Sequence, residues 1–292
     1  MASIGKLTLS EGDNPKVILE RIEQIVVEQG VRFETIYNQL LNELADEGII
    51  IINEKQLTLS QGEYITAYFK KEVRPRIMPI ILKKSQPLPL LSDDAIYLAV
   101  ILSRTSKEEY ALIEVPTDIL PRFVIIPSDD GKTYIILLED VIRYELNDIF
   151  YMFSFKNISS WIVKLTRDAE LDLDDDVAES YVKIVAKSLE KRGNSNLVRF
   201  VHDKEIPEKL LSILLKKLNF DRDDVVIGGS RIHNFKDFMA FPSVGAKHLY
   251  YMPIQPVGHK DIQQGKAYLS AIAHNDIMFH FPYQSFYHFI DL

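Results

Sequence analysis

Apolar and polar positions divide this chain into three textures. From Pro15 onward, apolar residues recur at three- and four-residue steps through Val17, Ile18, Ile22, Ile25, Val26, Phe33, Ile36, Tyr37, Leu40, Leu41 and Leu44. Such spacing lines one face of a helix. Asn14 before Pro15 supplies an N-cap with proline at the first helical position, and Gly48 supplies a C-terminal stop. The pattern predicts a helix of about thirty residues, with Gly30 as the place for a bend. After the apolar run Ile49–Ile52, Ser60-Gln61-Gly62-Glu63 has the form of a capping box. It predicts a second helix through Tyr64, Ile65, Tyr68, Phe69 and Val73, closed by Arg74-Pro75. Two helices cover each other poorly, so a further helix upstream is expected.

From about Pro79 the texture changes to short runs rich in Ile, Val, Leu and Tyr, at residues 95–102, 110–115, 123–126 and 133–138. Polar turns separate them, and this spacing predicts an antiparallel meander. Helical patterns follow at residues 140–150, 177–192 and 207–218, with further strands around 164–165 and 198–201. In the third texture, residues 276–283 read as a buried strand and 284–292 as the opening of an apolar-rich helix. That helix has neither a glycine stop nor a cationic last turn, which suggests a domain whose remainder is missing. The expected class is α+β: a partial helical bundle over 1–75, a middle α+β domain over 76–255, and the start of a third domain over 256–292.

Composition narrows the chemistry. The chain of 292 residues has no cysteine, which removes disulfides, thiolate metal sites and cysteine nucleophiles. A formal net charge of −8 argues against a dedicated nucleic-acid binder, although local basic clusters can oppose the global sign. The first residues lack the charged and apolar regions of a signal peptide, and no apolar stretch reaches the ~18 residues of a membrane span.

Candidate chemistry is sparse. The acidic run Asp168, Glu170, Asp172, Asp174, Asp175, Asp176, Glu179 partly matches a calcium loop, but Leu173 stands where that loop needs glycine. An acidic helix start is the plainer reading. The segment from Gly228 to Asp237 is glycine-rich and carries Arg231, His233 and Lys236, which could cradle phosphate or simply form a loop. Lys70, Lys71, Arg74, Arg76, Lys83 and Lys84 form a basic stretch, either a solvated helix end or a patch that steers a polyanion. The seven histidines form no zinc-binding spacing. On residues alone the chain shows no catalytic site and no metal site.

Six strings, in matching order and spacing, resemble the long multi-domain bacterial polyphosphate kinase. They are Ile52-Asn53-Glu54-Lys55-Gln56-Leu57; Tyr110-Ala111-Leu112-Ile113-Glu114-Val115-Pro116 with Pro121-Arg122-Phe123; Leu165-Thr166-Arg167-Asp168-Ala169-Glu170; Val198-Arg199-Phe200; Gly228 through Phe238 with Phe241-Pro242; and Phe281-Pro282-Tyr283-Gln284-Ser285-Phe286. The resemblance implies the end of an N-terminal helical domain, a middle domain, and the first strand and helix of a truncated phospholipase-D-like α/β domain. It implies a parent enzyme that makes polyphosphate reversibly from ATP with magnesium, through a phosphohistidine, as a cytoplasmic or membrane-associated homodimer. The family's His-x-Lys nucleophile and its Asn-Asn-Leu-Asp-Glu string are absent here. The chain therefore resembles scaffold, and neither ATP nor magnesium is expected to bind it tightly without the catalytic domains of the same polypeptide. Arg231, His233, Lys236, Lys83 and Lys84 are the candidates for steering the polyanion, and nucleic acid is not expected as a partner. The alternative is a stand-alone interaction or dimerisation module without catalysis.

Overall fold

The computed structural model describes residues 15–83, 85–93, 95–104, 107–153, 155–167, 197–220, 225–229, 232, 235–259 and 268–287. They form an α+β architecture in two compact units, the first ending at Gly245 and the second beginning at Ala246. Asn14, the acidic run 168–179, the predicted helix 177–192 and the candidates Lys84, Arg231 and His233 lie outside the described residues.

The first helix, α1 (Pro15–Asp46), spans 32 residues and continues through Gly30. Gly48 takes φ of 77°, the left-handed conformation that lets the backbone turn out of a helix. The turn delivers the chain into β1 (Ile49–Ile52), whose residues alternate between two apolar clusters. The next helix, α2 (Leu59–Tyr68), starts two residues earlier than the predicted box. Thr58 is its N-cap: the Thr58 hydroxyl accepts from the Gln61 amide at 3.3 Å, and Gln61 Oε1 accepts from the Thr58 amide at 3.0 Å. Thr58-x-x-Gln61 and Ser60-x-x-Glu63 have the same pattern, and the earlier one forms because the Gly62 amide already donates to the Thr58 carbonyl at 2.8 Å inside the first turn. The helical path also runs past Arg74-Pro75. A wide turn over Phe69–Val73 and a tight one over Arg74–Arg76 accommodate Pro75, which has no amide to donate.

Two sheets follow where a single meander was expected. Strands β2 (Ile80–Ile81), β3 (Ile96–Ser103), β4 (Glu108–Val115), β7 (Asn157–Arg167), β8 (Leu197–Asp203) and β9 (Val225–Gly229) form a six-stranded sheet in the order β2-β4-β3-β7-β8-β9. Strands β5 (Phe123–Ile126) and β6 (Thr133–Leu137) leave that sheet and form a second one in the order β1-β6-β5. Here β1 pairs with β6 in parallel, Ile49 opposite Thr133 and Ile52 opposite Ile136. The meander breaks at the turn that begins with Pro116, where the Leu120 amide returns to the Pro116 carbonyl at 2.9 Å. A turn stabilised on itself, with prolines at 116 and 121, does not fold back onto β4. The short helices α3 (Leu138–Tyr144) and α4 (Leu146–Ile149) occupy the predicted helix 140–150, divided at Glu145.

The centre of the six-stranded sheet is buried on both faces. Ile96, Leu98, Val100 and Leu102 of β3 join Ile65, Phe69 and Val73 in one cluster, which also holds Val141, Ile142 and Ile149. Tyr97 and Ala99 face the other way, against Phe200 and the apolar side of α5 (Glu208–Lys217), Leu210 and Leu214. Residues 49–73, upstream of the expected boundary at 75, thus contribute to the same first cluster as β3 and β4. The β8-α5-β9 run is a parallel unit with a helical crossover, appended to an otherwise antiparallel sheet.

In the second unit, α6 (Tyr268–His274) is a short helix. The described part of the predicted strand 276–283 forms no ladder: Met278 is 87% exposed, and the only bridge there among the described residues joins Val257 to Gln284. Apolar alternation makes a strand only when a neighbour takes up its amides and carbonyls. His280 is likewise exposed. No helix among the described residues is long and apolar enough to cross a membrane.

A methyl group at Gly62 would fall on the Tyr144 hydroxyl. Gly62→Ala gains about 0.5–1 kcal/mol of helix propensity, but overpacking costs about 1–3 kcal/mol. Urea denaturation should therefore show net destabilisation, relieved by adding Tyr144→Phe; a stable single variant contradicts the packing. In the β5–β6 turn, the Asp130 carboxylate accepts from the Ser128 hydroxyl, from the Lys132 amide at 3.0 Å and from the Tyr134 hydroxyl at 2.8 Å. These bonds, Ser128 first, hold its pKa down to about 2 from an ordinary 3.8. Because the folded pKa is depressed, this stabilisation is complete above about pH 4 and fades as pH falls towards 2. Asp130→Asn should flatten the stability profile in that window, and an unchanged slope would show that the turn carries no such linkage.

Candidate functional site

The string from Gly228 to Phe241 divides into two structural parts. Gly228 and Gly229 are the last residues of β9, opposite His202 and Asp203 of β8, so the glycines end a strand where a loop was predicted. Residues 235–240 then form a tight helical turn against the outer face of the three-stranded sheet. Phe238 meets Tyr37 of α1 edge-on at 5.6 Å and Phe123 of β5 at 5.0 Å, and Phe241 meets Phe123 at 5.1 Å. Each edge-to-face pair contributes about 0.5–1.5 kcal/mol beyond its area. This aromatic cluster straps α1 to the sheet.

Beneath the strap lies a buried ion network. Arg122 precedes β5, and its side chain is 2% exposed. Nη2 donates to Glu139 Oε1 at 2.5 Å, Nε donates to the same carboxylate at 3.2 Å, and Nη1 donates to Asp237 Oδ2 at 3.3 Å. The guanidinium also lies 5.7 Å from the centre of the Phe238 ring. Next to this network, Arg143 Nη1 donates to Asp140 Oδ1 at 2.5 Å. Periodicity could not reveal these groups, because Arg122 stands in a connection and its partners are 17 and 115 residues away. The one available signal was the string Pro121-Arg122-Phe123, where a charged residue interrupts an apolar run.

The two described steering candidates occupy separate places. Lys236 is exposed on the strap turn. Lys83 is exposed just after β2, in a turn whose Lys83 and Gln86 carbonyls both accept from Lys217 Nζ at 2.6 Å. Three neighbouring cations of the basic stretch face carboxylates: Lys71 and Arg76 pair with Glu72 at 3.5 and 3.3 Å, and Arg74 pairs with Asp148 at 3.9 Å. Such surface pairs contribute little energy, but they lower the positive potential of the stretch.

A cleft of about 360 Å³ opens between α1 and the sheet, lined in part by Glu34, Asn38, Asn53, Glu139, Asp140 and Arg143. Its guanidinium is paired with Asp140, and Glu34 faces Lys204 at 3.8 Å. Glu139 is paired in turn with Arg122, so the one cation lining the cleft is already committed and the lining carries three carboxylates to one guanidinium, a balance that does not favour a polyanion. Among the described residues, no three acidic or imidazole groups converge to hold a metal ion. The described histidines are dispersed: His202 Nδ1 lies 2.8 Å from the Asp203 carbonyl, and the buried His259 Nε2 lies 3.1 Å from that of Met278.

A two-faced mixed sheet flanked by helices, with its buried guanidiniums Arg122 and Arg143 held in internal ion pairs, defines an α+β domain. Residues 60–241 match the family model described as the polyphosphate kinase middle domain. The chain belongs to the polyphosphate kinase family. It is 39% identical over 284 residues to "Polyphosphate kinase" of Vibrio vulnificus (strain YJ016), covering 96% of this chain and 41% of that protein. It is 36% identical over 281 residues to the Escherichia coli (strain K12) protein of the same name, covering 94% of this chain and 41% of that one. The crystal structure of polyphosphate kinase from Porphyromonas gingivalis superimposes with a TM-score of 0.72 at 27% identity, over 92% of this chain and 39% of that chain. The chain thus spans about two fifths of the length of these relatives.

Removing Glu139 alone should leave the Arg122 charge undercompensated in a dry site, at a cost of about 3–5 kcal/mol. Chemical denaturation of Glu139→Leu should show that loss, and Arg122→Met with Glu139→Leu should recover much of it. A single variant as stable as the parent would mean that water reaches the pair.

Proposed function

We propose that this chain is the scaffold region of a polyphosphate kinase, the phosphotransferase that exchanges phosphate between ATP and inorganic polyphosphate. The observation that supports this reading best is the near-complete match of this chain to proteins of that name, of which it makes up 41%. The distribution of charge is consistent with it. Phosphoryl transfer requires cations arranged around a spread negative charge and a positioned nucleophile. Here Arg122 and Arg143 are committed to Glu139, Asp237 and Asp140. The phosphohistidine, the magnesium and the ATP contacts of the proposed activity are therefore assigned to other parts of the polypeptide, and no residue of this chain is given a step in the transfer. The parent protein is proposed to act in the cytoplasm or at the membrane surface as a homodimer. Residues 1–75, 76–255 and 256–292 are proposed to serve it as the end of a helical domain, the middle domain and the start of a phospholipase-D-like domain.

Within that scaffold, Lys83, Lys84, Lys236, Arg231 and His233 are proposed to steer the polyanion. A chimera tests both levels. This chain should replace the matching region of the E. coli enzyme and retain ATP-dependent polyphosphate synthesis, while the chain alone produces none. Adding Lys83→Glu and Lys84→Glu should raise the polyphosphate KM about 2–10-fold at low salt and less at high salt, with the ATP KM unchanged. Synthesis by the isolated chain, or a folded chimera without activity, sinks the scaffold reading. A KM insensitive to charge reversal removes the steering role of these two lysines only.

A further inference from the structure

We infer that Arg122 is a positioning residue for Lys236, fixing the exposed turn that presents this cation to a polyphosphate chain; the inference rests on the reading of Lys236 as a steering residue. The turn over Phe235–Ala240 has the tighter helical geometry, in which residues three apart align. Lys236 and Met239 share the outward line, with Met239 93% exposed, while Asp237 and Phe238 face inward. The orientation of Lys236 is thus set by what holds its two successors. Asp237 is held by Arg122 Nη1 at 3.3 Å, and Phe238 by the guanidinium lying over its ring at 5.7 Å and by Phe123 at 5.0 Å.

The energetics favour a geometric role for this arginine. Burying a guanidinium requires stripping its water, and replacing a buried ion network with apolar side chains is often neutral or stabilising. The fork is therefore weak as a source of stability and strong as a constraint on direction. One planar group reaches Glu139 with two donors and Asp237 with a third. Glu139 belongs to α3, which follows β6 directly, and the amide of Leu138 donates to the Arg122 carbonyl at 2.8 Å. Arg122 is thereby fixed to the sheet before it reaches the turn. A lysine at 122 keeps the charge, but its single ammonium cannot reproduce the fork.

The test is a thermodynamic cycle in the chain as it stands, with linear polyphosphate as the probe at low ionic strength. Lys236→Ala should weaken binding about 2–5-fold, and Arg122→Lys by a similar factor. In the Lys236→Ala background, Arg122→Lys should weaken binding no further, although it lowers Tm equally in both backgrounds. If Arg122→Lys does not fold, Asp237→Ala removes the acceptor of the same tie and enters the same cycle. An Arg122→Lys factor that persists without Lys236 overturns the inference, as does unchanged affinity when Lys236→Ala alone lowers it. If Lys236→Ala leaves affinity intact, the steering role of Lys236 fails, and the inference fails with it.

Discussion

The structure depends on one constraint, that the six-stranded sheet must be covered on both faces. Strand β3 pairs with β4 on one side and β7 on the other along all eight of its residues, so its backbone is fully committed. Its side chains then face apolar neighbours above and below, and Ile96, Tyr97, Leu98, Ala99 and Val100 are all inaccessible to water. Such a strand is a source of stability only if two further layers exist. On one side these are α2, α3, α4 and the inner face of the three-stranded sheet; on the other, α5 and the segment around Leu91. The three-stranded sheet has the same two-faced need, and α1 and the aromatic strap meet it.

Legibility in the sequence follows from how local each signal is. The 3.6-residue periodicity of α1 and α5 and the apolar runs of β3 to β6 are properties of contiguous residues, and they were readable. The division into two sheets was not, because the partner of β6 is β1, which stands among helices and reads equally well as part of one. The strand β9 was hidden by its own glycines: Val225 to Gly229 is a parallel strand whose pairing depends on α5 to bring it beside β8. The predicted strand at 276–283 failed in the opposite way, with correct alternation and no ladder.

The candidate residues divide by the same logic. Exposed lysines such as Lys83 and Lys236 can be found by composition, because a charge on a surface needs no explanation from elsewhere in the chain. Arg122, Glu139 and Asp237 are the reverse case. Each is unremarked in its own segment, and only tertiary contact shows that one guanidinium serves both others. Family resemblance located the neighbourhood through Pro121-Arg122-Phe123 and the strap string, while geometry supplied the roles.

The parallel pairing of β1 with β6 also governs the order in which the molecule can be made. On a ribosome, β1 emerges roughly eighty residues before its partner, a lag of several seconds at about 5–20 residues per second. During that interval β1 and α2 have no strand to close on, and Ile49–Ile52 is a bare run of four isoleucines. Early contacts can form within α1 and within the β3–β4 hairpin, whereas the three-stranded sheet has to wait for the chain to come round. Its central strand is the last of the three to be synthesised, so neither β1 nor β5 has a partner in this sheet until β6 is made.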